Sequence, residues 1–300
     1  MPTPIKVAII GLDTSHSVEL PKLMLDQSVA PELRIAGMVP TRALRFDTPF
    51  QSQEGLDKRQ AYLESLGMMV TTDFDTAVAD CDAILLEIND PAFHLEYFRK
   101  SAGLGKPIFL DKPFADTLDN AREIEKIAAE NKTVYFTASC LRFCPGIQEA
   151  HKTVAAPKEG LIWGPLGKAP AGSSIVWYGV HATEMLEFVM GTGAISAQTC
   201  QNAAGCMVVV NYADGRRGVI SLGNGCYQYG GVLRDLENQP LLFEEQLSGA
   251  FYRPLLVQVE EFFRTGKAPV EIADSFEVMA ILEAADKSAV SGRPEPIYTK

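Results

Sequence analysis

The 300-residue sequence has no feature that would assign it to a membrane or a nucleic acid. No apolar run approaches the roughly 20 residues that a membrane-spanning helix needs. The net charge is −11, and no Lys/Arg cluster reaches the density of a nucleic-acid or anionic-membrane footprint. The sequence also shows no internal repeat and no low-complexity segment. We therefore expect neither a nucleic-acid nor a membrane partner.

Cysteine pairs at metal-ligand spacing are scarce. The six cysteines are scattered. Cys140 and Cys144 are the closest pair, but no second pair stands at zinc-ligand spacing. The chain also starts without a charged-then-apolar leader. Reduced thiols in a cytoplasmic protein are therefore expected rather than a disulfide frame.

The first loop lacks two of the three glycines of the dinucleotide fingerprint. A buried-type strand over 6–10 leads into this loop, and a helix is predicted from about Ser17. The fingerprint places glycine at its first, third and sixth positions, which here hold Gly11, Asp13 and His16. Asp13 would place a carboxylate near a diphosphate, a repulsion of roughly 1 to several kcal/mol.

The second strand is predicted over 33–39 and lacks the acid that usually binds the ribose hydroxyls at its end. Pro40, Thr41 and Arg42 follow instead. Thr41 offers a hydroxyl and Arg42 a forked cation where a 2′-phosphate would lie, and Arg45 could add a second charge. Any dinucleotide binding should therefore be weak and should favour NADP over NAD.

Two short apolar strands, 83–86 and 107–110, enclose a helix that runs through Phe98. This is the pattern of parallel strands joined by a crossover. The second strand delivers Asp111 and Lys112 to the carboxyl edge of the sheet, where open α/β folds bind ligands. Pro113 keeps Lys112 extended. Lys112 is then either a proton donor or substrate anchor, or a solvated turn lysine.

The rest of the first half repeats the β/α alternation. A polar, irregular segment over 41–59 is a candidate flap, and further helices and strands alternate up to Thr137. The alternation predicts a doubly wound parallel sheet of Rossmann type, with residues 1–138 as a dinucleotide-binding domain.

The second half is predicted to be an α+β domain over 139–300, with a largely antiparallel sheet. Residues 153–176 suggest a loop, and a helix is predicted from about His181 to Gly191. Asp214-Gly215 is a strong hairpin signal. Strands are predicted over 195–199, 207–212, 217–222 and 241–244, with two helices closing the chain. Apolar residues lie on both faces of 207–222, so we expect a homodimer or homotetramer through this sheet.

Four segments together resemble the Gfo/Idh/MocA (glucose–fructose oxidoreductase/inositol dehydrogenase) family. Asp111-Lys112-Pro113 resembles its Glu-Lys-Pro motif, and 137–145 is similar to the segment after its sixth strand. Tyr178-Gly179-Val180-His181 matches the back of its Asp-x-Gly-x-His motif, with Trp177 in place of the aspartate. Residues 265–296 resemble its C-terminal segment. The likeness covers nearly the whole chain in order.

The resemblance implies a Rossmann domain, a sheet domain often used for oligomerisation, and oxidation of a sugar, polyol or related hydroxy compound with NAD or NADP. It implies that Lys112 contacts substrate and nicotinamide and that His181 is the acid/base. A helix start at His181 would lower the pKa of the imidazole and favour its neutral form, although a hydrogen-bonded core histidine is the alternative.

The remaining candidate residues fall into two groups. Cofactor binding is assigned to Gly11, Thr14, Ser15, His16, Thr41, Arg42, Asp90 and Asp111. Substrate binding is assigned to Arg142, Trp177, Tyr178 and His94. Trp177 is about as well interpreted as a core side chain as a platform for a sugar face.

A metal site can be drawn from side chains predicted near the same loops, namely Asp13, His16, Asp90, His94 and the pair His181/Glu184. Each of them has a simpler interpretation as a helix cap or loop hydrogen-bonder, so no metal is predicted. The competing functional hypothesis is a non-redox ligand-binding or regulatory protein that kept the fold and lost the nicotinamide cofactor. Asp13 and His16 favour this alternative.

Overall fold

The computed structural model describes residues 3–235, 237, 239–247 and 251–298, and the chain divides into two compact units. The first comprises Met1–Phe114, Arg122–Thr137 and Tyr252–Pro269. The second comprises Ala115–Ala121, Ala138–Phe251 and Val270–Lys300. The change of unit at 137/138 lies beside the boundary predicted from the sequence, while 115–121 and 252–269 each group with the other unit.

The first unit is built on a six-stranded parallel sheet. Its strands are β1 (Ile5–Ile10), β2 (Met38–Leu44), β3 (Met69–Thr71), β4 (Ala83–Leu86), β5 (Ile108–Leu110) and β6 (Tyr135–Thr137). Their order in the sheet is β3-β2-β1-β4-β5-β6. This is the predicted doubly wound Rossmann arrangement, in which the chain reverses direction across the sheet between β1 and β4.

The helices cover the apolar strands. In chain order they are α1 (His16–Leu25), α2 (Gln53–Ser65), α3 (Phe74–Val78), α4 (His94–Ala102), α5 (Leu118–Asn131), α6 (Pro145–Thr153), α7 (Ser174–Met190), α8 (Arg253–Thr265) and α9 (Ile272–Ser291). Every residue of β4 and of β5 is buried, as expected for parallel strands covered on both faces. In the first unit α8 places Phe262 edge-on against Phe136 of β6, with ring centroids 5.0 Å apart.

The prediction for the second strand was wrong by about five residues. Residues 31–33 form a 3₁₀ turn, and β2 begins only at Met38. Pro40 lies inside the strand, which is tolerated because the pairing with β1 is irregular between Val7 and Ala8. Thr41 and Arg42 are therefore strand residues, and the strand ends at Leu44.

The second unit contains a seven-stranded mixed sheet. Its strands are β7 (Glu159–Pro165), β8 (Ala194–Asn202), β9 (Gly205–Tyr212), β10 (Arg217–Gly223), β11 (Gly230–Arg234), β12 (Pro240–Glu244) and β13 (Glu295–Pro296), in the order β12-β11-β7-β10-β9-β8-β13. The β9–β10 hairpin is confirmed. All pairings are antiparallel except that of β7 with β10.

The loop predicted over 153–176 is wrong, because β7 runs through the middle of the sheet. Two of its buried positions are Gly160 and Gly164. A Cβ at Gly160 would lie 2.9 Å from Met190 Sδ, and one at Gly164 would lie 2.7 Å from the Tyr229 ring. Glycine is needed for this close packing, and the same glycines made the segment resemble a loop.

Helix α7 begins at Ser174 rather than near His181. The Ser173 hydroxyl caps it by accepting hydrogen bonds from the Ile175 and Val176 N–H groups. His181 is therefore in the helix interior, and the predicted effect of a helix N-terminus on its pKa does not apply.

The sheet of the second unit leaves apolar side chains exposed on one face. Register places Leu242, Val232, Leu161, Val219 and Val209 in one row across five strands of this face. Leu242 is 65% exposed, and Met207 on the same face is 46% exposed. Among the described residues no helix is long and apolar enough to span a membrane. The six cysteines, all of them described, form no disulfide.

Candidate functional site

Three ionisable side chains meet at the carboxyl edge of the parallel sheet. His16 is the first residue of α1, Glu87 follows β4 and Asp111 follows β5. His16 Nδ1 lies 2.8 Å from Asp111 Oδ2 and 3.6 Å from Glu87 Oε2. Because β1, β4 and β5 are neighbours in the sheet, the topology itself brings these residues together. We call them the edge triad.

The edge triad is buried and incompletely hydrogen-bonded. Neither carboxylate oxygen of Glu87 accepts a hydrogen bond from any residue that the structure describes. Asp111 Oδ1 accepts the N–H of Lys112 at 2.8 Å, whereas Oδ2 faces His16 Nδ1 at 2.8 Å. Buried polar atoms without partners are uncommon in folded proteins, so this site calls for an explanation.

The three groups shift one another's ionisation. Burial alone would lower the pKa of His16, but the facing Asp111 and Glu87 carboxylates raise it to about 9. Burial and the Asp111 charge raise the pKa of Glu87 above its usual range. Burial opposes ionisation of Asp111 as well, yet His16 and Lys112 hold the pKa of that carboxyl low. His16 and Asp111 thus form the charged pair of the edge triad.

Gly11, the first position of the dinucleotide fingerprint, has the backbone conformation that a dinucleotide-binding turn needs. Gly11 has a φ of 107°, and a Cβ there would lie 2.3 Å from the Glu87 carbonyl oxygen. Thr14 is buried and accepts hydrogen bonds from the Ser17 hydroxyl and the His16 N–H, while Ser15 is exposed at the helix start. The turn and the start of α1 are therefore in place.

The other two fingerprint positions do not fit. Asp13 is buried, accepts the Asn89 N–H at 3.0 Å, and has a pKa raised by burial. His16 directs its ring to Glu87 and Asp111, and the Tyr252 ring packs edge-on against it with centroids 4.9 Å apart. Side chains thus occupy the third and sixth positions, where the fingerprint leaves room for the pyrophosphate and for close packing of the helix.

Lys112 lies where the sequence predicted it. It follows Asp111 directly after β5 and is half-buried at the carboxyl edge of the sheet. Asp111, by contrast, was assigned to cofactor binding, but it is buried and engaged within the edge triad.

In the second unit His181 belongs to a hydrogen-bonded group. Its Nδ1 lies 2.6 Å from the Ser139 hydroxyl, and its ring packs edge-on against Tyr229. Both oxygens of Glu184 lie 2.8 Å from the Ser139 N–H. Burial raises the pKa of Glu184 to about 7, against the opposing pull of Arg142. Ser139 thus joins the imidazole to a buried carboxyl.

Arg142 is part of a buried ion cluster rather than a pocket wall. Its guanidinium pairs with Glu187 and lies 3.5 Å from Glu184 Oε2. Both carboxylates, opposing the effect of burial, raise the pKa of Arg142. We call Arg142, Glu184 and Glu187 the arginine cluster. It leaves the guanidinium with internal partners, so the structure does not support the predicted substrate contact.

His94 and Asp90 also have internal roles. His94 is fully buried, with Nε2 2.9 Å from the Ile88 carbonyl and Nδ1 3.3 Å from the Phe114 carbonyl. Asp90 caps the 3₁₀ turn at 91–93 by accepting the Ala92 N–H. Neither side chain is presented to a ligand.

The strand shift moves the predicted 2′-phosphate residues. Arg42 lies within β2 and donates to the Thr76 carbonyl. Arg45 instead directly follows the strand end, and its guanidinium pairs with Asp57 at 2.7 Å and donates to Gln53 and Gln60. Thr41 and Arg42 were assigned to the strand end, and Arg45 is the cation that the structure places there.

Trp177 and Tyr178 are both on α7. Trp177 is buried, in agreement with the core interpretation, and the Tyr178 ring lies against Gly167. Glu87 is the member of the edge triad that the sequence analysis missed. The signal was present, since Glu87 follows an apolar strand as Asp111 does.

Comparison with known proteins bears on the first unit. Residues 5–139 match the model of a family described as "Oxidoreductase family, NAD-binding Rossmann fold" (GFO_IDH_MocA). No curated protein sequence matches the chain.

Solved structures resemble the chain over nearly its whole length. A putative myo-inositol dehydrogenase from Sinorhizobium meliloti 1021 has 15% identity and a TM-score of 0.80, covering 98% of this chain and 100% of that one. Myo-inositol 2-dehydrogenase from Lactobacillus plantarum has 16% identity and a TM-score of 0.80, covering 99% of this chain and 100% of that one. Scyllo-inositol dehydrogenase from Lactobacillus casei with bound NAD(H) and scyllo-inositol has 13% identity and a TM-score of 0.79, covering 98% of this chain and 99% of that one. At such identities the likeness establishes the fold alone.

Proposed function

Because residues 5–139 match the model of the Gfo/Idh/MocA oxidoreductase family, we propose that the chain interconverts a hydroxyl and a carbonyl group on a sugar, polyol or related small molecule. NAD or NADP, when bound, would supply the acceptor or donor of the hydride. The observation that carries the proposal is the position of Lys112, half-buried directly after β5 at the carboxyl edge of the sheet. Ligands of open α/β folds bind at this edge.

Lys112 and His181 have separate roles in the proposal. The ammonium of Lys112 donates a hydrogen bond to the reacting oxygen and stabilises negative charge that develops on it. The imidazole of His181 exchanges the hydroxyl proton, and its contact with Ser139 fixes the orientation of the ring. The likeness to inositol dehydrogenases supports polyols as the first substrates to test.

Turnover measurements test these roles. We expect Lys112→Met and His181→Ala each to lower kcat/KM on a polyol panel by roughly 10²- to 10⁴-fold, the usual weight of a positioned proton-transfer group. Lys106→Met is the matched control, because Lys106 lies just before β5, at its opposite end. Full activity in either variant, or loss of folding in both, contradicts the assignment.

Dinucleotide binding should be weak, because Asp13 and His16 occupy fingerprint positions. Gly11, Thr14 and Ser15 would form the turn around the diphosphate. We expect Asp13→Gly to tighten binding of NADH and NADPH alike, as measured by titration calorimetry. If neither cofactor binds even this variant, the oxidoreductase proposal fails.

A preference for NADPH is the finer part of the proposal. The residue proposed to bind the 2′-phosphate is now Arg45 instead of Arg42. Arg45 directly follows β2, although a 2′-phosphate would compete there with Asp57. Loss of one charge-assisted contact should weaken NADPH binding roughly ten- to hundredfold in Arg45→Ala, without a matching loss for NADH. Arg42→Ala is the control. Tighter binding of NADH by the unmodified protein would refute the preference.

A non-redox ligand-binding or regulatory role is the second candidate, and the occupied fingerprint positions favour it. Such a protein would show thermal stabilisation by a small molecule without any response to NADH or NADPH. A nicotinamide-dependent spectral change in the presence of a polyol would instead favour the oxidoreductase.

We also propose a cytoplasmic homodimer or homotetramer formed through the exposed sheet face of the second unit. Met207 and Leu242 expose apolar side chains on this face, and exposed apolar faces often mark protein interfaces. Met207→Glu should lower the mass measured by light scattering, whereas Val290→Glu, at an exposed position on α9, should not. A monomeric unmodified protein at micromolar concentration would refute this proposal.

A further inference from the structure

We propose that the edge triad of His16, Glu87 and Asp111 binds a divalent transition-metal ion. Nothing in the proposed oxidoreductase function requires a metal, so this inference stands apart from it. The site would lie at the carboxyl edge of the parallel sheet, and His16 is its one ligand from the segment that stands in place of the dinucleotide fingerprint.

Ligand spacing is the first argument. His16 Nδ1, a Glu87 oxygen and Asp111 Oδ2 all lie within 4.8 Å of one another, with Nδ1 2.8 and 3.6 Å from the two carboxylates. An ion held about 2.0–2.2 Å from nitrogen and oxygen ligands separates neighbouring ligand atoms by about 3–3.5 Å. The three side chains therefore need only small adjustments to share one ion.

Placement by the fold is the second argument. Each ligand comes from a different element, at the start of α1 or directly after β4 or β5. The backbone orients one ligand further, because Asp111 Oδ1 accepts the Lys112 N–H and so directs Oδ2 towards His16. Outer hydrogen bonds of this kind fix the geometry of metal ligands.

Unpartnered oxygens are the third argument. Glu87 is fully buried, and within the described part of the chain neither of its carboxylate oxygens accepts a hydrogen bond. A cation would compensate both oxygens at once, which a single imidazole 3.6 Å away does not. The two carboxylates also balance the charge of a divalent ion, while the nearby Lys112 ammonium opposes it.

The ligand set selects the class of ion. One imidazole nitrogen and two carboxylate oxygens suit zinc, manganese or ferrous iron. Calcium takes six to eight oxygens, more than this site offers. The competing occupant is a proton, which would leave His16 as an imidazolium paired with Asp111.

Metal titration of the chelator-stripped full-length protein decides between the ion and the proton. We expect one equivalent of Zn²⁺ or Mn²⁺ to bind in calorimetry, with little affinity for Ca²⁺. His16→Ala, Glu87→Gln and Asp111→Asn should each weaken Zn²⁺ binding by about a hundredfold or more, since even outer-sphere changes cost ten- to hundredfold. Asp13→Asn is the matched control, because Asp13 is a buried carboxyl in the same loop but outside the triad.

A second measurement covers variants that fail to fold. In ¹⁵N-histidine-labelled protein, Zn²⁺ should shift the Nδ1 resonance of one of the four histidines, and His16→Gln should identify it. Absence of a shift together with no stoichiometric binding overturns the proposal in favour of the imidazolium. Unchanged affinity in Glu87→Gln and His16→Ala overturns it in favour of another site. Neither readout uses a dinucleotide or turnover, so failure of the oxidoreductase proposal leaves this test intact.

Discussion

Both units bury a group of charged side chains, and the two groups differ in how their carboxylates are compensated. In the arginine cluster, Glu187 pairs with Arg142, and Glu184 accepts the Ser139 N–H and lies 3.5 Å from the guanidinium Nε. In the edge triad, a single imidazole faces two carboxylates, and no described residue donates a hydrogen bond to Glu87. Uncompensated buried carboxylates are costly, so the two groups serve different ends.

This difference indicates that the arginine cluster stabilises the fold, whereas the edge triad can still bind a ligand. The arginine cluster is a closed set whose members need one another to remain buried. The edge triad lies at the sheet edge where ligands bind in this fold. Within the described part of the chain, neither oxygen of its Glu87 carboxylate accepts a hydrogen bond. Substitutions in the two groups should therefore differ in size and even in sign.

The largest effect is expected from opening the arginine cluster. Arg142→Met leaves Glu184 and Glu187 buried without their cation, so the free energy of unfolding should fall by about 4 kcal/mol, as for other broken buried ion pairs. Urea denaturation monitored by circular dichroism measures the change. Adding Glu184→Leu and Glu187→Leu to the same chain should recover much of the loss. Equal instability in the triple variant would show that the cluster is not a closed set.

The next effect is a pH dependence set by Glu184. Its pKa is raised by burial from 4.5 to about 7, so between these values the folded state binds more protons than the unfolded state. Raising the pH from 4.5 to 7 should therefore lower the free energy of unfolding, by about 3 kcal/mol from this group. Glu184→Gln should flatten the slope over this window. An identical pH profile in the variant would contradict the assignment.

A smaller effect, with opposite signs in the two units, compares two buried acids. In the presence of a chelator, Glu87→Leu should stabilise the protein by about 1 kcal/mol, because it removes a buried carboxyl without donors. Glu184→Leu should destabilise it by roughly 1–3 kcal/mol, because the Ser139 N–H loses its acceptor. Thermal melts at pH 7 of the two variants, side by side, measure both. The same sign for both would remove the distinction between the two groups.

The smallest change in the free energy of unfolding is expected for an exposed ion pair, which serves as a reference for the buried groups. Arg217 pairs with Glu159 across two strands on the exposed sheet face, and solvent screens this pair. Arg217→Ala should change the free energy of unfolding by less than about 1 kcal/mol in the same urea titrations. A loss as large as that in Arg142→Met would mean that burial does not set the size of these effects.

The fold of the first unit could be predicted from the sequence because its strands are continuous apolar runs between amphipathic helices. Strand β2 and, in the second unit, strand β7 were misplaced because they break that pattern. Pro40 inside β2 imitates a strand end, and the glycines of β7 imitate a loop. In both places tertiary packing decides the structure, through an irregular pairing for Pro40 and through the close approach of α7 and of the Tyr229 ring for β7.

The candidate site was predictable only in part. The position of Lys112 could be predicted because the strand before it ends at the ligand-binding edge of the sheet. The poor fit to a dinucleotide could be predicted because Asp13 and His16 stand where the fingerprint has glycine. The hydrogen-bond and ion-pair partners of a side chain could not be predicted from the sequence, because the order and spacing of the strands decide which side chains meet. His94 was assigned to substrate binding, but its ring is enclosed by two backbone carbonyls. Arg142 is likewise paired with Glu187 on helix α7.

The segment 252–269 groups with the first unit although it follows most of the second unit in the chain. During synthesis, residues 1–137 therefore emerge from the ribosome long before α8 is available. Until then the ring of Phe136 lacks the contact with Phe262, which is fully buried in the finished protein. The nascent first unit therefore lacks this contact on β6 until residues 252–269 have been made, and apolar surface that is exposed during synthesis favours aggregation.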